Sequence, residues 1–316
     1  MGNGRYKFKS SRHGLSSVDN MEPNLISANR AIGLLSLLLA AGVALAVPFE
    51  SSRDRDRHPP LGVSYLGFDR NDYPGDDKLA GLRQTFSFSG YWLNLPPGEK
   101  SNSWVGKRKA IQDAGFGFVV LFNGRQYADI KASGDAAKLG DSDAALAVSS
   151  VRREGFPSKT IIFLDQEQGG RLLPEQQSYL LSWTDGVISR GFRAGVYCSG
   201  IFVKESSGNT IVTAIDIQNH AGSRELHYWV ANDSCPPSPG CAFPGKVSSP
   251  MASGISFAEV WQYAQSPRRQ EFTKRCPSNY ATDGNCYPPA GDRAQQLHVD
   301  LNVATSSDPS HARKKD

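Results

Sequence analysis

Short apolar runs recur along the chain at residues 63–68, 88–92, 116–122, 160–164, 194–197, 227–231, 259–263 and 297–301, and most are rich in β-branched and aromatic side chains. That composition predicts eight buried strands. Helical patterning lies between several of them. Residues 104–114 space apolar positions among Lys107, Arg108 and Lys109, residues 142–154 follow an Asp-rich start, and residues 174–190 open on Pro174-Glu175 and close before Gly191, which are ordinary helix start and stop signals. Strand alternating with helix predicts a parallel sheet. Eight such strands over residues 61–305 predict an α/β fold, a (β/α)8 TIM-type barrel, irregular where no clear helix separates the last strands. A doubly wound open sheet is the alternative, but it wants a Gly-rich phosphate loop after the first strand, and Asp69-Arg70-Asn71-Asp72 stands there instead.

The ends of the chain read differently. Residues 1–30 carry five Lys or Arg against two acids, and no charge occurs from residue 31 to residue 48. Basic, then apolar, then small residues (Ala44-Leu45-Ala46) is the order of an export signal; cleavage of residues 31–48 or their retention as a single membrane anchor stays open. An uncleaved segment would make the membrane a partner and leave the body outside the cell. Residues 49–60, with Arg53-Asp54-Arg55-Asp56-Arg57 and a proline boundary, read as a linker, and residues 306–316 as a polar tail. Of the formal charge of +4 among 316 residues, residues 1–30 supply +3 and residues 305–316 supply +1, so the body is near neutral. Nucleic acid is therefore not an expected partner.

Five cysteines suit an exported protein. Cys235 and Cys241 bracket one Pro-rich turn and Cys276 and Cys286 another loop, so two local disulfides are the simple pairing, with a zinc site as the weaker alternative. Cys198 is left over and reads as a buried strand cysteine.

Chemistry concentrates at strand ends. The run Thr160-Ile161-Ile162-Phe163-Leu164 stops at Asp165-Gln166-Glu167. Side chains alternate along a strand, so Asp165 and Glu167 share a face, roughly 6.5–7 Å apart along the chain. Asp69 follows Leu66-Gly67-Phe68 and Asp300 follows Leu297-His298-Val299, so four acids stand where a barrel keeps its working groups. Glycoside cleavage needs such a set, because one carboxyl must keep its proton while another stays charged. Arg70, next to Asp69, is expected to hold that acid charged. Aromatic side chains offer faces for sugar rings; Trp92, Tyr197 and Trp261, with the amide of Gln262, are the candidates for substrate binding. Of Trp261 and Gln262, alternation allows only one to face the mouth. No cofactor or metal is called for.

The ordered series Gly67-Phe68-Asp69, Leu164-Asp165-Gln166-Glu167, Ala194-Gly195-Val196-Tyr197, Trp261-Gln262-Tyr263 and Val299-Asp300-Leu301-Asn302 resembles the family-25 glycoside hydrolases, the muramidase-type lysozymes. It is closer to the related bacterial glycoside-hydrolase-like domain of unknown function, in which the Gly90-Tyr91-Trp92 segment also has a counterpart. The resemblance implies a barrel acting on bacterial cell-wall glycan or another polysaccharide. It implies Glu167 as proton donor, with Asp165, Asp69 and Asp300 around it and Asp165 orienting an N-acetyl group or facing the charge that develops on the sugar. A non-catalytic carbohydrate-binding or envelope domain is the competing reading. Metal-dependent hydrolysis is a third, for which His227 and His298 lack a suitably spaced acid.

Overall fold

The apolar runs close on one another. The computed structural model describes residues 63–233, 248–265, 286–287 and 297–313. In chain order the elements are β1 (Tyr65–Asp69), α1 (Leu79–Arg83), β2 (Phe88–Trp92), α2 (Arg108–Asp113), β3 (Gly117–Asn123), α3 (Tyr127–Ala132), α4 (Ala136–Arg153), β4 (Ile161–Asp165), α5 (Pro174–Ser189) and β5 (Arg193–Ser199). They continue with the hairpin strands β6 (Phe202–Lys204) and β7 (Thr210–Val212), then α6 (Thr213–Ala221), β8 (Leu226–Ala231), β9 (Val260–Ala264), β10 (Cys286–Tyr287), β11 (Leu297–His298) and β12 (Asp300–Ala304). Eight strands form a closed barrel in the order β1-β12-β9-β8-β5-β4-β3-β2.

Seven of these strands are parallel, and β12 runs antiparallel to both neighbours, β1 and β9. The expected irregularity in the last strands is therefore a reversal of direction. Among the described residues, the short antiparallel β10–β11 pair precedes β12.

The barrel interior is filled by side chains from inward-facing positions, large against small. Phe88 and Phe163 are fully buried, and Phe163 meets Trp229 edge-on with ring centroids 6.0 Å apart. Gly67 makes room for one of them, since a Cβ there would lie 2.1 Å from the Phe88 ring. Cys198, a free cysteine, points outward in β5, and burial pushes its thiol upward, away from reactivity.

Residues 306–313, read from composition as part of a polar tail, are instead built into the barrel. Ser310 is fully buried; its backbone N–H donates to the Phe118 carbonyl at 2.8 Å, its carbonyl accepts from Ile161 N at 2.8 Å, and its Oγ accepts from Val120 N at 2.8 Å. Asp308 accepts from Phe118 N and Arg313 N, both at 2.9 Å. This segment satisfies strand groups that β3 and β4 leave open at their N-terminal ends, and polarity alone does not reveal that role. Asp308→Ala should cost about 1–3 kcal/mol in urea unfolding, because two donors lose their acceptor. A midpoint unchanged from the parent would show that these bonds contribute nothing.

The basic segment 1–30, the apolar segment 31–48 and the linker 49–60 lie outside the described residues. So do Cys235, Cys241 and Cys276, and of Cys286 only the backbone pairing is described. Among the described residues no helix is long and apolar enough to cross a membrane.

Candidate active site

Parallel strands deliver their last residues to one rim. Asp69 ends β1 and Asp165 ends β4, with Glu167 two residues beyond. Asp300 reaches the same rim by the opposite route. It was expected at the end of a strand over residues 297–301, yet it opens β12, and because β12 runs backwards its first residue lies directly across the ladder from Asp69. All four acids line a single cavity of about 290 Å³.

The floor of this cavity is a hydrogen-bonded network. Asn302 Nδ2 donates to Asp69 Oδ1 at 2.7 Å, and Gln262 Nε2 lies 3.1 Å from the same oxygen and 3.3 Å from Asp300 Oδ2. Gln262 Oε1 accepts from the Tyr197 hydroxyl at 2.7 Å and from Gln265 Nε2 at 3.0 Å. Trp229 Nε1 donates to Asn302 Oδ1 at 2.9 Å, which orients the Asn302 amide so that its nitrogen faces Asp69. Gly90 in β2 lets this acid sit close to the wall, since a Cβ there would come within 2.7 Å of Asp69 Cβ.

The acids differ in what surrounds them. Burial pushes Asp69 up to about 6, against the pull of the Asn302 and Gln262 donors. Asp165 is 6% exposed, and its Oδ1 is buried without a hydrogen-bond partner. Burial first, then the nearby charges of Glu167 and Asp69, hold its carboxyl well above the usual range. Glu167 stands at the open side of the mouth; desolvation by the walls raises it, and a hydrogen bond from the Gln126 side chain works the other way. Tyr197 is held far above its ordinary value by burial and then by Asp165, Asp69 and Asp300, so it remains a donor.

Trp92, Tyr197, Gln262, Asp69, Asp165, Glu167 and Asp300 thus meet in one place. Trp261 does not. Gln262 takes the inward position on β9, so Trp261 turns outward, packs at 5.5 Å against Tyr263 and donates Nε1 to the Asn232 carbonyl at 2.8 Å. Trp229 joins Trp92 in the cavity wall instead. It was visible as a strand aromatic, and its facing depended on register. Arg70 also departs from expectation: its side chain makes no ion pair with Asp69, and burial raises that acid rather than a cation lowering it. His227 lies at the other end of β8, with Nδ1 2.7 Å from Glu259 Oε1.

Gln126 was not visible in the sequence as a site residue. It stands at the N-terminal boundary of α3 in the loop after β3, and that loop is pinned on both sides. Arg125 makes bonds of 2.7 and 2.8 Å to the buried Asp143 carboxylate, and Tyr127 N donates to Gln168 Oε1 at 2.9 Å. The only signal available was its place just beyond a strand end.

An eight-stranded barrel with paired acids at its rim is the architecture of a glycoside hydrolase-like protein. Residues 97–241 match the family described as the Rv2525c-like, glycoside hydrolase-like domain. No curated protein matches the chain. Among solved structures, an uncharacterised protein of B. stearothermophilus is similar at 17% identity and a TM-score of 0.45, covering 76% of this chain and 95% of that one. The Mycobacterium tuberculosis Tat-secreted protein Rv2525c, in complex with L-tartrate, is similar at 14% identity and a TM-score of 0.43, covering 76% and 93%. A family 25 glycosyl hydrolase from Bacillus anthracis is similar at 11% identity and a TM-score of 0.41, covering 79% and 90%.

Proposed function

We propose that this chain is an exported glycosidase that hydrolyses O-glycosyl bonds in peptidoglycan or a related envelope polysaccharide. The observation that carries the reading is the convergence of Asp69, Asp165, Glu167 and Asp300 on one cavity, with raised protonation in the pair from β4. Breaking a glycosidic bond needs a proton at the departing oxygen and negative charge near the sugar carbon. Glu167, at the open side, is the proton donor. Asp165, which keeps its proton, lies deeper, where it hydrogen-bonds the N-acetyl group, and Asp69, gripped by two amide donors, supplies negative charge above a pH of about 6. Tyr197, the partly exposed aromatic of the lining, gives the sugar a ring edge, and the buried Trp92 and Trp229 back the wall behind it. Export rests on the basic-then-apolar order of residues 1–48.

A non-catalytic glycan-binding barrel is the second reading, favoured by the amide bridge of Gln262, which already engages both Asp69 and Asp300. Incubation of the full chain with purified peptidoglycan decides between them. New reducing ends appearing with time support the glycosidase. Calorimetric binding with no product after prolonged incubation overturns it in favour of the binding module.

A further inference from the structure

Arg70 stands out among the arginines. Every other described arginine side chain has a hydrogen-bonded partner. Arg70 has none, although its Nε is buried and its side chain lines the acidic cavity. The backbone beneath it is held firmly: Trp92 Nε1 donates to the Arg70 carbonyl at 3.1 Å, Trp104 Nε1 donates to the Asn71 carbonyl at 2.7 Å, and Asn71 Nδ2 donates to the Pro97 carbonyl at 2.8 Å. A guanidinium on so rigid a base, close to Asp72 and Glu99 yet paired with neither, is a donor kept open. Buried donors without acceptors are rare enough to need an explanation, and a bound ligand is one.

The same cavity holds a second buried polar atom with no partner, Asp165 Oδ1. An occupant must therefore accept from Arg70 and share a hydrogen bond with the Asp165 carboxyl, which a hydroxyl can do in either direction. We infer that the cavity selects a sugar residue bearing a free carboxylate, which Arg70 grips through its guanidinium fork while a hydroxyl or amide N–H of the same sugar meets Asp165. A carboxylate suits the fork better than a hydroxyl, because two oxygens accept side by side. Two kinds of sugar share this chemistry: a hexuronate, with the carboxylate on the ring, and a muramate whose lactyl ether is free of peptide. The cavity of about 290 Å³ is at the lower end for small-molecule sites, which suits one ring and its substituents. The inference rests on the glycan reading of the site and narrows it.

Calorimetry on the full chain tests it with three disaccharides: neutral N,N′-diacetylchitobiose, an N-acetylglucosaminyl-muramate with a free lactyl group, and a dihexuronate. One of the two carboxylated probes should bind roughly tenfold to hundredfold more tightly than the neutral one, the worth of a charge-assisted hydrogen bond. Which of them does so identifies the source of the carboxylate. Arg70→Met should close that gap, and Arg70→Lys should restore part of it, with thermal melting used to check that both variants are folded. Equal affinity for neutral and carboxylated probes overturns the inference and leaves the glycosidase reading intact, as does a preference that survives Arg70→Met. Failure of all three probes to bind, together with no reducing ends from peptidoglycan, overturns both.

Discussion

Glu167→Gln should reduce the release of reducing ends from cell-wall glycan by a hundredfold to ten-thousandfold, the range expected when a positioned acid is removed. The substitution preserves shape and removes only the ability to hand over a proton. Glycan affinity should stay close to that of the parent, since the floor formed by Asp69, Gln262, Asn302 and Tyr197 is untouched. The reason to single out this acid is its placement. Asp165 holds its proton more firmly but lies too deep to reach a leaving oxygen at the mouth, whereas Glu167 is raised by desolvation and remains accessible. The two carboxyls also resist joint ionisation, because the charge of either raises the cost of the second. Parental turnover in Glu167→Gln would remove this residue from the chemistry, whatever the fate of the glycan reading.

Asp69→Asn should make the protein more stable at neutral pH, by an amount that grows with pH. Asp69 sits in the folded protein with its carboxyl pushed from 3.8 up to about 6. Well below pH 3.8 it is neutral both folded and unfolded and imposes no penalty. As pH rises from 3.8 to about 6 the unfolded chain ionises this group while the folded protein resists doing so, so stability falls across that window and levels off above it, by about 3 kcal/mol relative to the acidic limit. An asparagine never ionises, and its side-chain oxygen can still accept from Asn302 and Gln262. Urea unfolding of parent and variant at pH 4.5 and pH 7.5 measures the difference directly. A difference that fails to widen at the higher pH would mean that burial of Asp69 is not what strains the fold. Activity should be lost in the same variant, which is the usual relation between a functional charge and the stability it costs.

Local features were the legible ones. The β-branched run from Ile161 to Leu164 read as a buried strand, and the two-residue alternation put Asp165 and Glu167 on one face before any fold was known. The same rule failed at β9. There Trp261 and Gln262 were equally acceptable inward residues, because shifting the facing by one position exchanges an indole for an amide and nothing in the neighbouring sequence opposes it. Closure of the barrel put Gln262 inward, where its amide nitrogen reaches both Asp69 and Asp300.

What the chain determines on its own is therefore the first seven strands of the barrel, the paired acids at the end of β4 and the near-neutral charge of the body, all of which follow from periodicity and composition over a few residues. Tertiary structure decided the rest. The reversal of β12 brings Asp300 opposite Asp69, the pinned loop after β3 carries Gln126 to Glu167, and residues 306–313 fill the strand ends beneath Phe118 and Ile161. Each of these joins residues far apart in sequence, and such contacts are set by how the strands close rather than by any local preference.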